Sequence, residues 1–220
     1  MIHQCLTTGR ERQNQDEYNM LPVRSKYKIG KRLGPAVFEQ CQTQKFALSE
    51  ARTVKKQKRG GGSDYGRQLI EKQRVRYTYG LTEKSLSNYA KKAYENENPS
   101  LALHRALEER LDSVVYRAGF ALTRRAGRQM VSHGHITVNG IRTMVPSHRL
   151  KKGDVFAVRE GSRKSALFAH LGNPETASRP IPAWLSVDVS LMKGEITGEA
   201  QYSPTESALD YPSVFEFYSR

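Results

Sequence analysis

Cysteine is nearly absent: Cys5 and Cys41 are the only two in 220 residues, and they lie far apart. A disulfide framework is therefore excluded, and a reducing cytoplasm is the default compartment. Long apolar runs are missing too. None approaches the eighteen or so residues that cross a bilayer. The first 24 residues are polar and include Glu11, Asp16 and Glu17, which argues against a secretory signal or an Arg-rich transit peptide. No membrane partner is expected. At 37% apolar residues the chain is thin for one large globule, so two small cores are expected, with segments that order only against a partner. Signs of catalysis are also wanting. There is no nucleophile–base pairing and no paired-carboxylate motif. Gly60-Gly61-Gly62 lacks the preceding strand and following helix of a nucleotide loop. His133 and His135 stand two apart with no cysteine or acidic cluster beside them, so no metal site is expected. The composition points away from an enzyme and from any cofactor.

Positive charge is abundant. The chain carries 36 Lys and Arg against 22 Asp and Glu, a net +14. The excess is local: residues 1–100 hold 20 basic and 10 acidic side chains, residues 101–160 hold 11 and 5, and residues 161–220 hold 5 and 7. Charge of this size says little about fold but favours a polyanionic partner and fast association with it.

The densest pattern lies between Leu111 and Val158. Thr123 is placed to cap a helix, its hydroxyl taking a free amide of the first turn. Arg124 and Arg128 are four apart and share a face. Gly134 is a stop, Ile136-Thr137-Val138 alternates like a strand, and Asn139-Gly140 is the dipeptide of a tight hairpin. A basic helix running into a hairpin is a compact charged surface suited to a phosphate backbone. Both arginines are expected to point outward, so that alanine at either site leaves folding within about half a kcal/mol.

Elsewhere, residues 25–60 are short basic and apolar patches ending in Lys55-Lys56-Gln57-Lys58-Arg59-Gly60-Gly61-Gly62, a basic run on a hinge. Ser63 or Asp64 caps a helix from Tyr65 to Tyr77. A second helix, Glu83 to Tyr94, carries the stripe Leu86, Tyr89, Ala90 and Ala93. Asn98-Pro99 starts a third that runs to Gly119, with Leu103, Leu107, Leu111 and Val114 or Val115 on its buried face. Leu107 and Leu111 are both assigned to the core of the unit that contains the basic helix. Val155 to Val158 is a short strand, and beyond Gly161 structural signals are sparse. The expected fold is α+β: a loose extension 1–24, a basic helical domain 25–99, a small domain 100–160 of two helices on a short antiparallel sheet, and a C-terminal extension 161–220 whose tail packs back on the helical domain.

Leu111-Asp112-Ser113-Val114-Val115-Tyr116-Arg117-Ala118-Gly119-Phe120, with Thr123-Arg124 and Val131 to Gly140, resembles the small RNA-binding domain of the bacterial small-subunit ribosomal protein S-four family. Ser63-Asp64-Tyr65-Gly66-Arg67-Gln68-Leu69-Ile70-Glu71-Lys72-Gln73-Arg74-Val75-Arg76 resembles that family's signature helix. Pro182-Ala183-Trp184-Leu185 and Val214 to Arg220 resemble its tail. The resemblance implies a structural constituent of the small ribosomal subunit. Such a protein binds small-subunit ribosomal RNA early, at a helix junction in the 5′ domain, nucleates assembly, lines the messenger RNA entry path and touches neighbouring small-subunit proteins; some members also repress their own messenger. Folded RNA is read through shape, phosphates and 2′-hydroxyls, and the planar arginine fork pairs two phosphate oxygens. The implied RNA contacts are Lys55, Lys56, Lys58, Arg59, Arg67, Gln68, Lys72, Gln73, Arg74 and Arg76, then Arg117, Thr123, Arg124, Arg128, Gln129, Ser132 and His133.

Three departures stand out. Many relatives carry a zinc knuckle; here Cys41 is the only cysteine in that region and Phe46 occupies the place of another ligand, so no zinc is expected. Residues 195–212 lack the basic residues expected of the tail. The extension 1–24 has no counterpart, which leaves Met20 as an alternative start. A free-standing rescue or assembly factor would not need the signature helix or the closing Glu216-to-Arg220 segment, and an RNA-modifying enzyme carrying the same small domain would need a separate catalytic domain, for which the chain outside 100–160 offers no site.

Overall fold

The computed structural model describes residue 21 and residues 23–52, 63–172, 180–203 and 209–220. Residues 1–20, within the expected extension, and Lys55, Lys56, Lys58 and Arg59 lie outside the described residues.

The N-terminal part is built on α1 (Lys26–Leu33) and α2 (Gln44–Ala51). Between them Leu33, Val37, Phe38, Cys41 and Phe46 form a small apolar cluster. The fit is tight: a Cβ on Gly30 would lie 2.7 Å from the Cys41 sulfur. Phe46 is thus a buried packing residue at the position where the resemblance suggests a ligand.

The next unit comprises α3 (Asp64–Thr78), α4 (Glu83–Tyr94) and α5 (Pro99–Glu108). Each start has a local reason. The Ser63 hydroxyl accepts from the Gly66 amide at 3.2 Å and Thr82 accepts from the Ser85 amide at 3.3 Å, each satisfying an otherwise orphan donor. Pro99 opens α5, where a missing N–H costs nothing. The chain returns at its end with α8 (Tyr211–Tyr218), and Tyr211, Val214 and Phe215 complete a core with Val75, Leu86, Leu103 and Leu107.

The third expected helix is not continuous. It stops at Glu108, and α6 (Leu111–Arg117) begins after Arg110 turns extended at φ −67°, ψ 138°. Residues 146–150 capture the backbone there: the Leu111 and Asp112 amides donate to the His148 and Pro146 carbonyls, and the Leu150 amide donates to the Glu109 carbonyl. Leu107 therefore packs in the helical core and Leu111 in a different one, which corrects the single buried face expected from sequence.

That second core lies under α6 and α7 (Arg124–Ser132). Gly127 lets the helices touch, since a Cβ there would come within 2.9 Å of the Asp112 carbonyl oxygen. Below them, among the described residues, is a five-stranded antiparallel sheet of β1 (Ile136–Val138), β2 (Ile141–Arg142), β3 (Val155–Val158), β4 (Leu185–Asp188) and β5 (Lys193–Ile196), in the order β2-β1-β3-β5-β4. Asn139 and Gly140 both take positive φ, 49° and 82°, the turn that matches strand twist. The architecture is α+β, as expected. The strands β4 and β5 are an addition, drawn from the stretch that looked empty in sequence. Gly194 lies opposite Phe156 in the ladder, and a Cβ there would overlap the ring.

Candidate nucleic-acid interface

The side chains expected to meet RNA divide into three groups. On α3, several are already committed. Lys72 is buried, with its ammonium 2.8 Å from Glu83 Oε1 and 4.1 Å from the centre of the Phe217 ring. Gln68 is buried and donates to Glu216 Oε2 at 2.8 Å. Arg76 donates to Gln73 Oε1 at 3.2 Å and to the Leu81 carbonyl at 3.3 Å. Arg67 is exposed but paired with Asp64, and it lines a groove shared with Glu71, Asp210 and Glu216. The signature helix thus spends Gln68 and Lys72 on seating α8, where both side chains are buried.

A second group gathers around two buried carboxylates. Glu108 is 1% exposed. Arg117 grips it in a fork, Nε to Oε2 and Nη2 to Oε1, both at 2.8 Å, while Arg124 Nη2 donates to Oε1 at 3.0 Å and Tyr79 donates to the same oxygen at 2.7 Å. The Arg124 guanidinium is sandwiched between the Tyr79 and Tyr116 rings, 4.5 and 4.7 Å from their centres, a favourable place for a desolvated cation. Asp112 is held by Arg110 through two bonds of 3.0 and 2.7 Å, with Arg128 Nη1 3.6 Å away. Arg128 is only 7% exposed. The outward orientation expected of Arg124 and Arg128 is therefore wrong: α6 and α5 present acids toward α7, and an unpaired carboxylate in the interior is costly enough to draw the arginines in. Thr123 caps α7, accepting from the Ala126 amide at 3.1 Å, and Ser132 donates back to the Arg128 carbonyl at 2.9 Å.

Even so, the arginines reach a surface. Arg74, Arg117 and Arg124 together line a groove of about 370 Å³ with Glu39, Tyr116 and His104. Arg124 Nη1 is buried and has no hydrogen-bond partner among the described residues.

The third group is an exposed rim. Gln129 and His133 are exposed, and the fold adds members that sequence reasoning did not name. Arg142 lies across the hairpin and donates to the His133 carbonyl at 3.1 Å. Arg159 follows β3, its amide donating to the His135 carbonyl at 2.9 Å. The His133 and His135 rings are 6.0 Å apart. Partial burial, followed by the charges of His133, Arg159 and Arg142, lowers the His135 pKa, an independent sign that positive charge converges here. The strand pairing was the available signal: once Asn139-Gly140 is a two-residue turn, Arg142 must fall beside the start of β1.

The buried cluster makes the fold acid-sensitive. Burial pushes the His104 pKa below its ordinary value of 6.5, and its Nδ1 lies 3.0 Å from the Tyr211 hydroxyl. Burial alone would raise the Glu108 carboxyl, but Arg124 and Arg117 overcome it and hold the carboxyl well below the carboxylate range. In the unfolded chain His104 takes up a proton below about 6.5, whereas the folded chain resists it, so stability falls with pH from there. Below the ordinary Glu value of 4.5 the unfolded chain also protonates Glu108 while the folded chain holds it ionised, which acts in the same direction. Urea midpoints should therefore change little above about pH 7 and drop between about pH 6.5 and 5; a flat profile there would contradict the neutral, buried histidine.

A basic helix, a hairpin and an arginine-lined groove on an α+β scaffold define a protein of the RNA-binding kind, with one small domain set against a helical one. Residues 109–156 match the family model described as S4 domain, and residues 23–109 match that described as Ribosomal protein S4/S9 N-terminal domain. The chain is 38% identical over 198 residues to small ribosomal subunit protein uS4 of Roseiflexus castenholzii, covering 88% of this chain and 96% of that protein. It is 41% identical over 168 residues to uS4 of Mycobacterium avium, with 72% and 79% covered. To uS4 of Persephonella marina it is 42% identical over 160 residues, with 71% and 77% covered. The chain belongs to the small ribosomal subunit protein uS4 family.

Proposed function

We propose that this chain is a primary binder of small-subunit ribosomal RNA that nucleates assembly and borders the messenger RNA entry path, acting by binding and not by catalysis. It is a structural constituent of the small ribosomal subunit, resides in the ribosome of the cytoplasm, and has ribosomal RNA and neighbouring ribosomal proteins as partners. The observation that carries the finer reading is the groove where Arg74, from the helical part, meets Arg117 and Arg124, from the small domain. A contact made there engages both parts at once, as an RNA junction would require. His133 and Arg142 extend the same basic character along the end of α7, with Gln129 beside them as a neutral hydrogen-bonding group. Within this reading Lys55, Lys56, Lys58 and Arg59 supply further phosphate contacts from sequence alone.

Cosedimentation with small ribosomal subunits tests the assignment, and recovery only in the free protein fraction would sink it. Titration of an RNA fragment from the 5′ domain tests the chemistry. Neutralising six or more phosphates should weaken binding about a thousandfold between roughly 50 and 200 mM salt, as counterions are released; a flat response would contradict a phosphate-led interface.

A further inference from the structure

The two cores described above share no residue, and the seam between them is polar. On one side stand Tyr79, His104 and Tyr211, packed with the helical core; on the other stand Arg117 and Arg124, which belong to the helices over the sheet. Glu108 is the anion common to both. It closes α5, immediately before the chain turns extended, and its two oxygens accept from Tyr79 on the near side and from Arg117 and Arg124 on the far side. The Tyr79 hydroxyl passes the network on to Tyr211 at 3.3 Å. Apolar contact is non-directional and lets surfaces slide. A bidentate guanidinium–carboxylate pair fixes both distance and plane.

From this geometry we infer that Glu108 is a positioning residue: it sets the orientation of the α6–α7–sheet unit against the α3–α4–α5–α8 unit, and so holds Arg74 in register with Arg117, Arg124 and the His133–Arg142 rim. The inference rests on the RNA-binding reading above. A buried ion pair is weak evidence for stability, and specifying one arrangement is its better-attested use. Arg110, which donates to the Tyr89 hydroxyl at 2.8 Å, is a second tie across the seam, but the side chain of Asp112, its anion, pairs among the described residues with groups of the small unit and the linker. Preorganisation raises affinity by removing an ordering cost, so loosening the seam weakens RNA binding without removing a phosphate ligand.

The test uses the full chain as wild type, Glu108→Gln and Tyr79→Phe, with two measurements on each. Residual dipolar couplings report the relative orientation of the two units; titration of the 5′-domain RNA fragment reports affinity and its salt slope. Wild type is expected to show one alignment tensor for both units. Glu108→Gln should show two, with amide shifts away from the seam retained, an affinity about tenfold lower from the lost preorganisation, and an unchanged salt slope. Tyr79→Phe keeps both arginine pairs and should fall between. A single tensor with wild-type affinity in Glu108→Gln overturns the inference. So does a lower affinity with a shallower slope, which would mean lost phosphate contacts. If Glu108→Gln unfolds, Tyr79→Phe decides, and an unaltered tensor and affinity there overturn the inference. If wild type does not bind the RNA, the functional reading fails while the tensors still report on the seam.

Discussion

Replacing Arg124 with alanine is expected to cost about 3 kcal/mol of folding stability, the lower end of the 3–5 kcal/mol seen when one partner of a buried ion pair is removed. The lower end applies because Arg117 still grips Glu108 through two bonds of 2.8 Å. Two further losses add to it: the sandwich between Tyr79 and Tyr116, and the packing of a side chain only 13% exposed. Arg128→Ala should behave alike, since it removes a cation from beside Asp112. Urea titrations of the single variants measure both. A change within about half a kcal/mol, the norm for an exposed position, would mean that the arginines are surface residues after all.

Leu107→Ala and Leu111→Ala should each destabilise by about 2–5 kcal/mol, from lost burial and the cavity left behind. Both side chains are fully buried, yet they lie in separate cores one turn apart in sequence. Their effects should therefore be local. Hydrogen exchange should quicken around Val75, Leu86 and Val214 for Leu107→Ala, and around Val131, Ile136 and Phe156 for Leu111→Ala. Identical exchange patterns from the two variants would show one shared core in place of two.

Local signals in the sequence were sound where local chemistry decides the outcome. The helix Glu83–Tyr94 and the strand Val155–Val158 have the expected bounds, and Thr123, Gly134 and Asn139-Gly140 do what their side chains and backbones favour. The failures come from partners distant in sequence. Nothing near Glu109 and Arg110 breaks a helix; the carbonyls of Pro146 and His148 do. The strands β4 and β5 are short and half exposed, with Lys193 and Glu195 facing out, so alternation is faint until β3 pairs with β5 and β5 with β4. The candidate site shows the same limit. Residue type pointed to Arg117, Arg124 and Arg128, but their depth depends on Glu108 and Asp112, whose inward placement follows from how α5 and α6 meet α7. Conversely, Arg142 and Arg159 join the basic rim only through strand register.

The placement of α8 bears on how the chain comes to be folded. Tyr211, Val214 and Phe215 complete the core that Val75, Leu86 and Leu107 begin, and they leave a translating ribosome about a hundred residues after α5, which ends at Glu108. Until they emerge, the helices α3 to α5 expose an unfinished apolar face, and synthesis at about 5–20 residues per second leaves that face open for several seconds. The usual order, in which N-terminal parts settle first, is blocked here by design of the topology. Nascent chains halted before residue 211 should be sensitive to protease within α3 to α5, and chains extended past α8 should become resistant in a single step.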